Sequence, residues 1–371
     1  MPPLQNLLKQ RIRDDVLGMH SYAIQDATGL VKLDAMENPY TLPVDLQQQL
    51  GQRLGSLALN RYPDNRIHFL KKKLAEYAEI PDHWSIILGN GSDELISLLS
   101  LACAKPATSN GLRPVVLAPV PGFVMYSVSA QLQGLAFEGV PLTPDFALDV
   151  PAMEQAIAQH QPAIIYLAYP NNPTATLWDE ADMARVIDAA AQSGSIVVID
   201  EAYQPFSSRS YIDRIRSHPE QHNHVLLMRT LSKFGLAGVR LGYMMGATAL
   251  ISEIDKVRPP YNISVLNCEC ALFCLEQTDV FAAQAKAICS ERTRIISNLR
   301  SILSITVWSS DANMILVRVP HANNVFEQLK TKGILVKNVS KMHSLLANCL
   351  RLTVGTPEEN TLLLAALHEI L

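Results

Sequence analysis

Short apolar runs, most of them rich in Ile, Val and Leu, recur along this chain and are separated by amphipathic stretches. SIILG (85–89), VVLAP (115–119), AIIYLAYP (163–170), SIVVIDEAY (195–203), VLLMRT (225–230) and LGYMMG (241–246) read as strands. They are continuously apolar rather than alternating, the pattern of a parallel sheet buried on both faces. Between them the helical period runs over 66–80, GSDELISLLSLACA (91–104), GFVMYSVSAQLQG (122–134) and DEADMARVIDAAAQSG (179–194), the last closed by Gly194. The expected fold class is α/β, a mostly parallel sheet with helices on both faces. Pro259-Pro260 breaks the chain after a helix pattern at 248–258. Beyond it, helix patterns at 264–276, 280–303, 322–332 and 357–370 mix with strands at 315–319, 334–338 and 349–354, which reads as a smaller α+β domain. Asn38-Pro39 and Leu42-Pro43 mark an arm over residues 1–44 that contributes to the small domain. The expected division is then a large domain over 45–260 and a small one over 261–371.

Composition narrows the function classes. The chain is 48% hydrophobic and 18% charged with a net charge of -4, which gives no reason to expect a nucleic-acid or membrane partner. The start, MPPLQNLLKQRIRDD, turns charged too early for a signal peptide, and the apolar stretch 95–104 is too short to span a bilayer. A cytoplasmic protein is the expectation. Six cysteines show no C-x-x-C spacing; Cys270 and Cys274 read as buried helix residues. His218, His222 and His224 read as a polar loop before a strand, and no metal site is expected.

In an open α/β sheet, ligands sit at the carboxyl ends of the strands. The residues following each apolar run therefore matter most. They are Asn90, Gly91, Ser92 and Asp93; then Asn171, Asn172 and Thr174; then Asp200, Glu201 and Tyr203; then Thr230, Ser232 and Lys233. Gly89-Asn90-Gly91 fails the dinucleotide pattern, because Glu94 stands where the last glycine belongs. What remains is a helix start whose free N–H groups suit a phosphate, or a helix that Ser92 simply caps. The segment TLSKFGLAGVR (230–240) joins a lysine, two hydroxyls and an arginine to small residues that let the main chain approach a ligand. A partly desolvated lysine near another cation has a lowered pKa and forms imines.

At these residues the chain resembles the fold-type-I pyridoxal-phosphate aminotransferases, and within them the histidinol-phosphate branch. KLDAMENPY (32–40), RYPD (61–64), GNGSDEL (89–95), YPNNPT (169–174), DEAY (200–203), TLSKFGLAGVRLGY (230–243), RPPYN (258–262) and LRLTVGTPEEN (350–360) carry the resemblance in order along nearly the whole chain. It implies pyridoxal 5'-phosphate as cofactor, held by Lys233 as a Schiff base, with Lys233 then moving the proton. It implies that Asp200 pairs with the pyridinium nitrogen, because a protonated ring is the better electron sink. Asn172 and Tyr203 should bond the ring's phenolic oxygen, and Tyr126 should stack on the ring. Gly91, Ser92, Asp93, Thr230, Ser232 and Arg240 should surround the cofactor phosphate, joined by Tyr62 from the other subunit of a homodimer whose interface the arm shares. Arg351 should bind the substrate anion, with Tyr22, Asn38 and Lys337 as further substrate contacts.

The same resemblance implies amino transfer between L-histidinol phosphate and 2-oxoglutarate, giving imidazole acetol phosphate and glutamate, in histidine biosynthesis. Three positions depart from the family pattern: Met36 replaces an Asn, Ala175 a Gly, and Lys337 an Arg, which loses the bidentate fork. The alternatives are an aminotransferase for an aromatic amino acid, a lyase acting on threonine phosphate, and a non-enzymatic regulator on the same fold.

Overall fold

The computed structural model describes residues 4–19, 25–105 and 112–371. Tyr22 lies outside the described residues. Seven strands form the main sheet: β1 (Trp84–Gly89), β2 (Val115–Val120), β3 (Ala136–Pro141), β4 (Ile164–Ala168), β5 (Ile196–Asp200), β6 (Val225–Thr230) and β7 (Gly242–Ala247). Their order is β1-β7-β6-β5-β4-β2-β3. Only β7 runs antiparallel to its neighbours.

The unalternating runs are explained by two cores, one on each face. Ile165, Leu167, Val197, Ile199 and Leu227 point into one. Ile164, Tyr166, Val198, Leu226 and Met228 point into the other. Helices Arg66–Ala78, Val150–His160 and Glu180–Ser193 supply the first core; Ser92–Cys103, Met125–Leu132 and Thr248–Asp255 supply the second. Each such aliphatic side chain, fully buried, contributes about 1.5–3 kcal/mol.

Several elements escaped the sequence reading, among them helix Val44–Gly55, an edge strand and a second helix of the main body. Edge strand β3 carries Glu138 and Gly139, both poor strand formers that suit an exposed rim. Helix Val150–His160 has a start marked in the sequence: Asp149 caps it by accepting the Ala152 amide at 3.1 Å, and Pro151 occupies its first turn.

The smaller body has a four-stranded antiparallel sheet of β8 (Thr306–Val307), β9 (Met314–Arg318), β10 (Lys337–Asn338) and β11 (Cys349–Thr353), in the order β10-β11-β9-β8. The run expected as one strand over 334–338 divides in two. Ile334–Leu335 pairs in parallel with Val31–Lys32 of the arm, whereas Lys337–Asn338 pairs with β11. Leu33 continues the stitching, donating to the Leu335 carbonyl and accepting from the Thr353 amide. The arm is thus built into this body, and it carries residues 34–38 over the carboxyl end of the main sheet.

Among the described residues no helix is long and apolar enough to cross a membrane, and no cluster of His, Cys, Asp or Glu could hold a metal. His222 and His224 bond the main-chain carbonyls of His218 and Ile187. Of the two cysteines expected to be buried, Cys274 is and Cys270 is only half-buried on helix Val265–Leu275; Cys268 is buried there as well, and burial pushes the Cys268 and Cys274 thiols up to about 12.

Candidate active site

One cavity gathers the strand ends. Its walls include Ser92 and Asp93 after β1, Asn172 after β4, Asp200 and Tyr203 after β5, and Thr230, Ser232, Lys233 and Arg240 around β6. Register explains the convergence, since Ala168 pairs with Asp200 and Asp200 with Met228, which ends the three central strands side by side.

At one end of the cavity, helix Ser92–Cys103 begins with no side chain capping it. Ser92 is already its first residue, and Gly91 takes the cap position, so the capping role considered for Ser92 is not what the fold uses. The first-turn N–H groups are left for an external acceptor. Arg240 reaches the same corner: its guanidinium donates to Ser232 Oγ at 3.2 Å and lies 3.6 Å from Asp93. Thr230 Oγ1 donates to the same Ser232 hydroxyl at 3.0 Å. Gly91 adopts φ 82°, and a Cβ on it would stand 2.7 Å from Arg240 Nη2. Gly242 lets β7 press against the turn, where a Cβ would come 2.7 Å from Gly91 C and Ser92 N. The Asp93 carboxylate, an acceptor when ionised, faces that guanidinium, while its main chain belongs to the same uncapped first turn.

At the other end lies Asp200. Its Oδ2 accepts the Tyr126 hydroxyl at 2.6 Å and its Oδ1 the Ala202 amide at 3.0 Å. Burial outweighs these two neutral donors and raises the carboxyl to about 6. Tyr126 is not placed as a ring-face residue. Its own ring stacks on Tyr166 at 4.2 Å and 6°, inside the core. Phe123, set edge-on to Tyr126 at 84°, is the aromatic that projects into the cavity beside it.

Lys233 stands between the two ends. Its amine donates to the Ala35 carbonyl of the arm at 3.0 Å and lies 5.8 Å from the Tyr203 ring centre. Burial, followed by the field of Arg351, brings its pKa down to about 8. Burial raises the Tyr203 phenol, so it stays protonated as a donor. Arg351 donates to Asn172 Oδ1 at 2.9 Å and to the Asp34 carbonyl at 2.8 Å. With its oxygen so engaged, Asn172 has its N–H pair to offer a ligand. Lys337 lies directly opposite Arg351 in the β10–β11 register, which puts two cationic side chains on one face of that sheet.

Glu201, Asn38 and Tyr62 do not line this cavity. Glu201 is turned away and buried against Arg229 at 2.9 Å. Asn38 is occupied by other protein groups: it donates to Gln284 and to the Phe234 carbonyl and accepts from the Tyr40 amide. Tyr62 is 76% exposed and stacks on Tyr261. The departures Met36 and Ala175 sit at φ 51° and 60°, left-handed positions where Asn and Gly are the easier residues. Both are buried, and Met36 lines the cavity.

The sequence compares closely with known proteins. The family model for aminotransferase class I and II matches residues 28–367. The histidinol-phosphate aminotransferase of Polaromonas naphthalenivorans is 63% identical over 97% of this chain and 96% of its own length. That of Methylibium petroleiphilum is 62% identical over 100% and 97%. Among solved structures, the histidinol-phosphate aminotransferase of Sinorhizobium meliloti, in complex with pyridoxal-5'-phosphate, superposes with a TM-score of 0.81 at 22% identity, covering 97% of both chains. L-threonine-O-3-phosphate decarboxylase of Porphyromonas gingivalis gives a TM-score of 0.75 at 18%, so the backbone alone does not separate the two reactions. A match over that much of the chain, around a cavity that unites an amine, a buried carboxyl and an anion corner, makes this chain a member of the class I and II aminotransferase family.

Proposed function

We propose that this chain transfers the amino group of L-histidinol phosphate to 2-oxoglutarate, with pyridoxal 5'-phosphate as cofactor. The observation that carries the substrate is the 62–63% identity, over nearly the full length, to relatives named for that reaction. Nothing comparable supports an aromatic-acid aminotransferase, a threonine-phosphate lyase or a regulator.

The cavity fits the cofactor by its donor set. A phosphate suits the uncapped helix start with Gly91, Ser92, Thr230, Ser232 and Arg240. A pyridinium N–H suits Asp200, a buried carboxyl whose two present partners are neutral. When bound, the cofactor would supply an aldehyde able to take up the amine and a ring able to spread the negative charge left on carbon when the α-proton departs. Lys233, lowered to about 8, is basic enough to take that proton and acidic enough to return it near neutral pH. Asp200 holds the proton on the ring nitrogen. The Asn172 amide and the Tyr203 hydroxyl hold the phenolic oxygen, and Phe123 covers a ring face. Arg351 and Lys337 take the substrate anion: the carboxylates of glutamate in one half-reaction and the phosphate of histidinol phosphate in the other.

The functional unit is a homodimer. Tyr62 and Tyr261 form an exposed aromatic pair at the surface, and the phosphate contact of Tyr62 is made to the cavity of a second copy. Purified protein should exchange amino groups between histidinol phosphate and 2-oxoglutarate by ping-pong kinetics. No exchange at saturating cofactor would overturn the substrate assignment. Turnover that requires no oxo-acid and releases carbon dioxide would favour the lyase.

A further inference from the structure

We propose that Tyr126 is a positioning residue for Asp200: its hydroxyl grips one carboxylate oxygen from beneath and aims the group at the ring nitrogen of the cofactor. The proposal rests on the reading of Asp200 given above.

Tyr126 Oη lies 2.6 Å from Asp200 Oδ2, a length typical of a donor bonded to an ionised acceptor. The tyrosine itself has little freedom. It is 2% exposed, its face is stacked on Tyr166, and its edge meets Phe123 at 84°. The Ala202 amide holds the other oxygen. Each carboxylate oxygen accepts more than one hydrogen bond, so capacity remains for a third donor from the cavity. The two protein donors fix the plane of the carboxylate before any ligand arrives.

The hydroxyl also decides the charge of that carboxylate. The groups near Asp200 are Asp93, Glu201 and Tyr203, with Lys233 and Arg240 across the same cavity. Asp93 and Glu201 both disfavour ionisation, as does burial; the Tyr126 hydrogen bond is the largest influence that favours it. Burial and the neighbouring carboxylate keep the Tyr126 phenol protonated, so it remains a donor throughout the working range. Removing the hydroxyl leaves Asp200 holding its own proton to higher pH, where it serves the ring nitrogen poorly.

The test is Tyr126→Phe, which keeps the aromatic stack and deletes one oxygen. It should weaken pyridoxal-phosphate binding about tenfold, the size of one lost charge-assisted hydrogen bond. It should also move the acid-side midpoint of the cofactor's visible absorbance to higher pH. Tyr126→His, which offers a ring N–H in place of the hydroxyl, should recover part of both. Tyr166→Phe should change neither. Asp200→Asn is measured in parallel. If Asp200→Asn binds cofactor with the native spectrum and affinity, the reading of Asp200 fails. If Asp200→Asn is impaired but Tyr126→Phe matches wild type, only the positioning role fails. A Tyr126→Phe defect of equal size in the Asp200→Asn background would mark the tyrosine as mere packing and overturn the proposal.

Discussion

Replacing Gly91 by alanine separates two jobs that one glycine performs. The backbone there has φ 82° and ψ 170°, a region nearly closed to residues with a side chain, where occupancy costs about 1–3 kcal/mol. That cost falls on the protein whether or not cofactor is bound. The new methyl also stands 2.7 Å from Arg240 Nη2 and 3.3 Å from its Cζ. A guanidinium ends a flexible chain, so it swings away; the turn, pressed by Gly242, has no such freedom. Arg240 then leaves Ser232 and Asp93, its partners at 3.2 and 3.6 Å. Losing one charge-assisted contact to the phosphate removes about 1.5–3 kcal/mol of cofactor affinity, or roughly 10- to 100-fold in Kd. Denaturant unfolding of stripped protein reads the first effect, and absorbance titration with pyridoxal phosphate reads the second. Arg240→Ala should share the affinity loss without the stability loss. Wild-type stability in Gly91→Ala would refute the argument from the backbone. Wild-type affinity would remove Arg240 from the phosphate site.

Lys233→Ala should abolish turnover and the visible band formed with the cofactor while the protein still folds; turnover near the wild-type rate would take the lysine out of the chemistry. Glu201→Ala strands the buried Arg229 and should cost about 3–5 kcal/mol in chemical denaturation, and a cost under about 1 kcal/mol would show that the pair is solvated in solution. In stripped protein, Lys233 releases its proton near pH 8 when folded but near 10.5 when unfolded. The unfolded chain therefore binds the extra proton between those values, and stability rises with pH across that window. Lys233→Met should flatten this rise; an unchanged slope would assign it to another group.

Much of this site was legible because strand ends in a parallel sheet deliver whatever follows them to one edge. Lys233, Asp200, Asn172, Tyr203 and Arg240 were found that way or through their motifs. What stayed hidden depends on contacts across long sequence distances. The Ala35 carbonyl under the Lys233 amine is 198 residues away from it, and a backbone oxygen has no signature in a sequence. Met36 and Ala175 were visible as departures from a family pattern, but only their positive φ explains why other residues are usual there. Phe123 precedes helix Met125–Leu132 and Tyr126 lies in its first turn, and the spacing of three does not say which faces the cavity and which the core. Phe123 did carry a signal: it follows the loop residues Pro121-Gly122 directly after β2, at the sheet edge where ligands bind.

Asp200 and Glu201 show why residue type alone could not assign the roles. They are adjacent carboxylates at the end of one buried strand, so successive side chains leave on opposite faces of the sheet. Glu201 meets a full complement of partners: Arg229 at 2.9 Å, the Ser210 hydroxyl at 2.9 and 3.0 Å, and the Tyr211 amide at 2.6 Å. Its charge is matched by a cation within the fold, and it braces β5 against β6. Among the described residues, Asp200 meets only a phenol and an amide, which bond a carboxylate without neutralising it. A buried carboxylate in that position either takes up a proton, as its rise to about 6 expresses, or waits for a cation to arrive. Moving the arginine from the Glu201 side to the Asp200 side would leave the acidic pair in the sequence unchanged and exchange anchor for active group. The chemistry of this site therefore lies in which carboxylate the fold leaves without an internal countercharge.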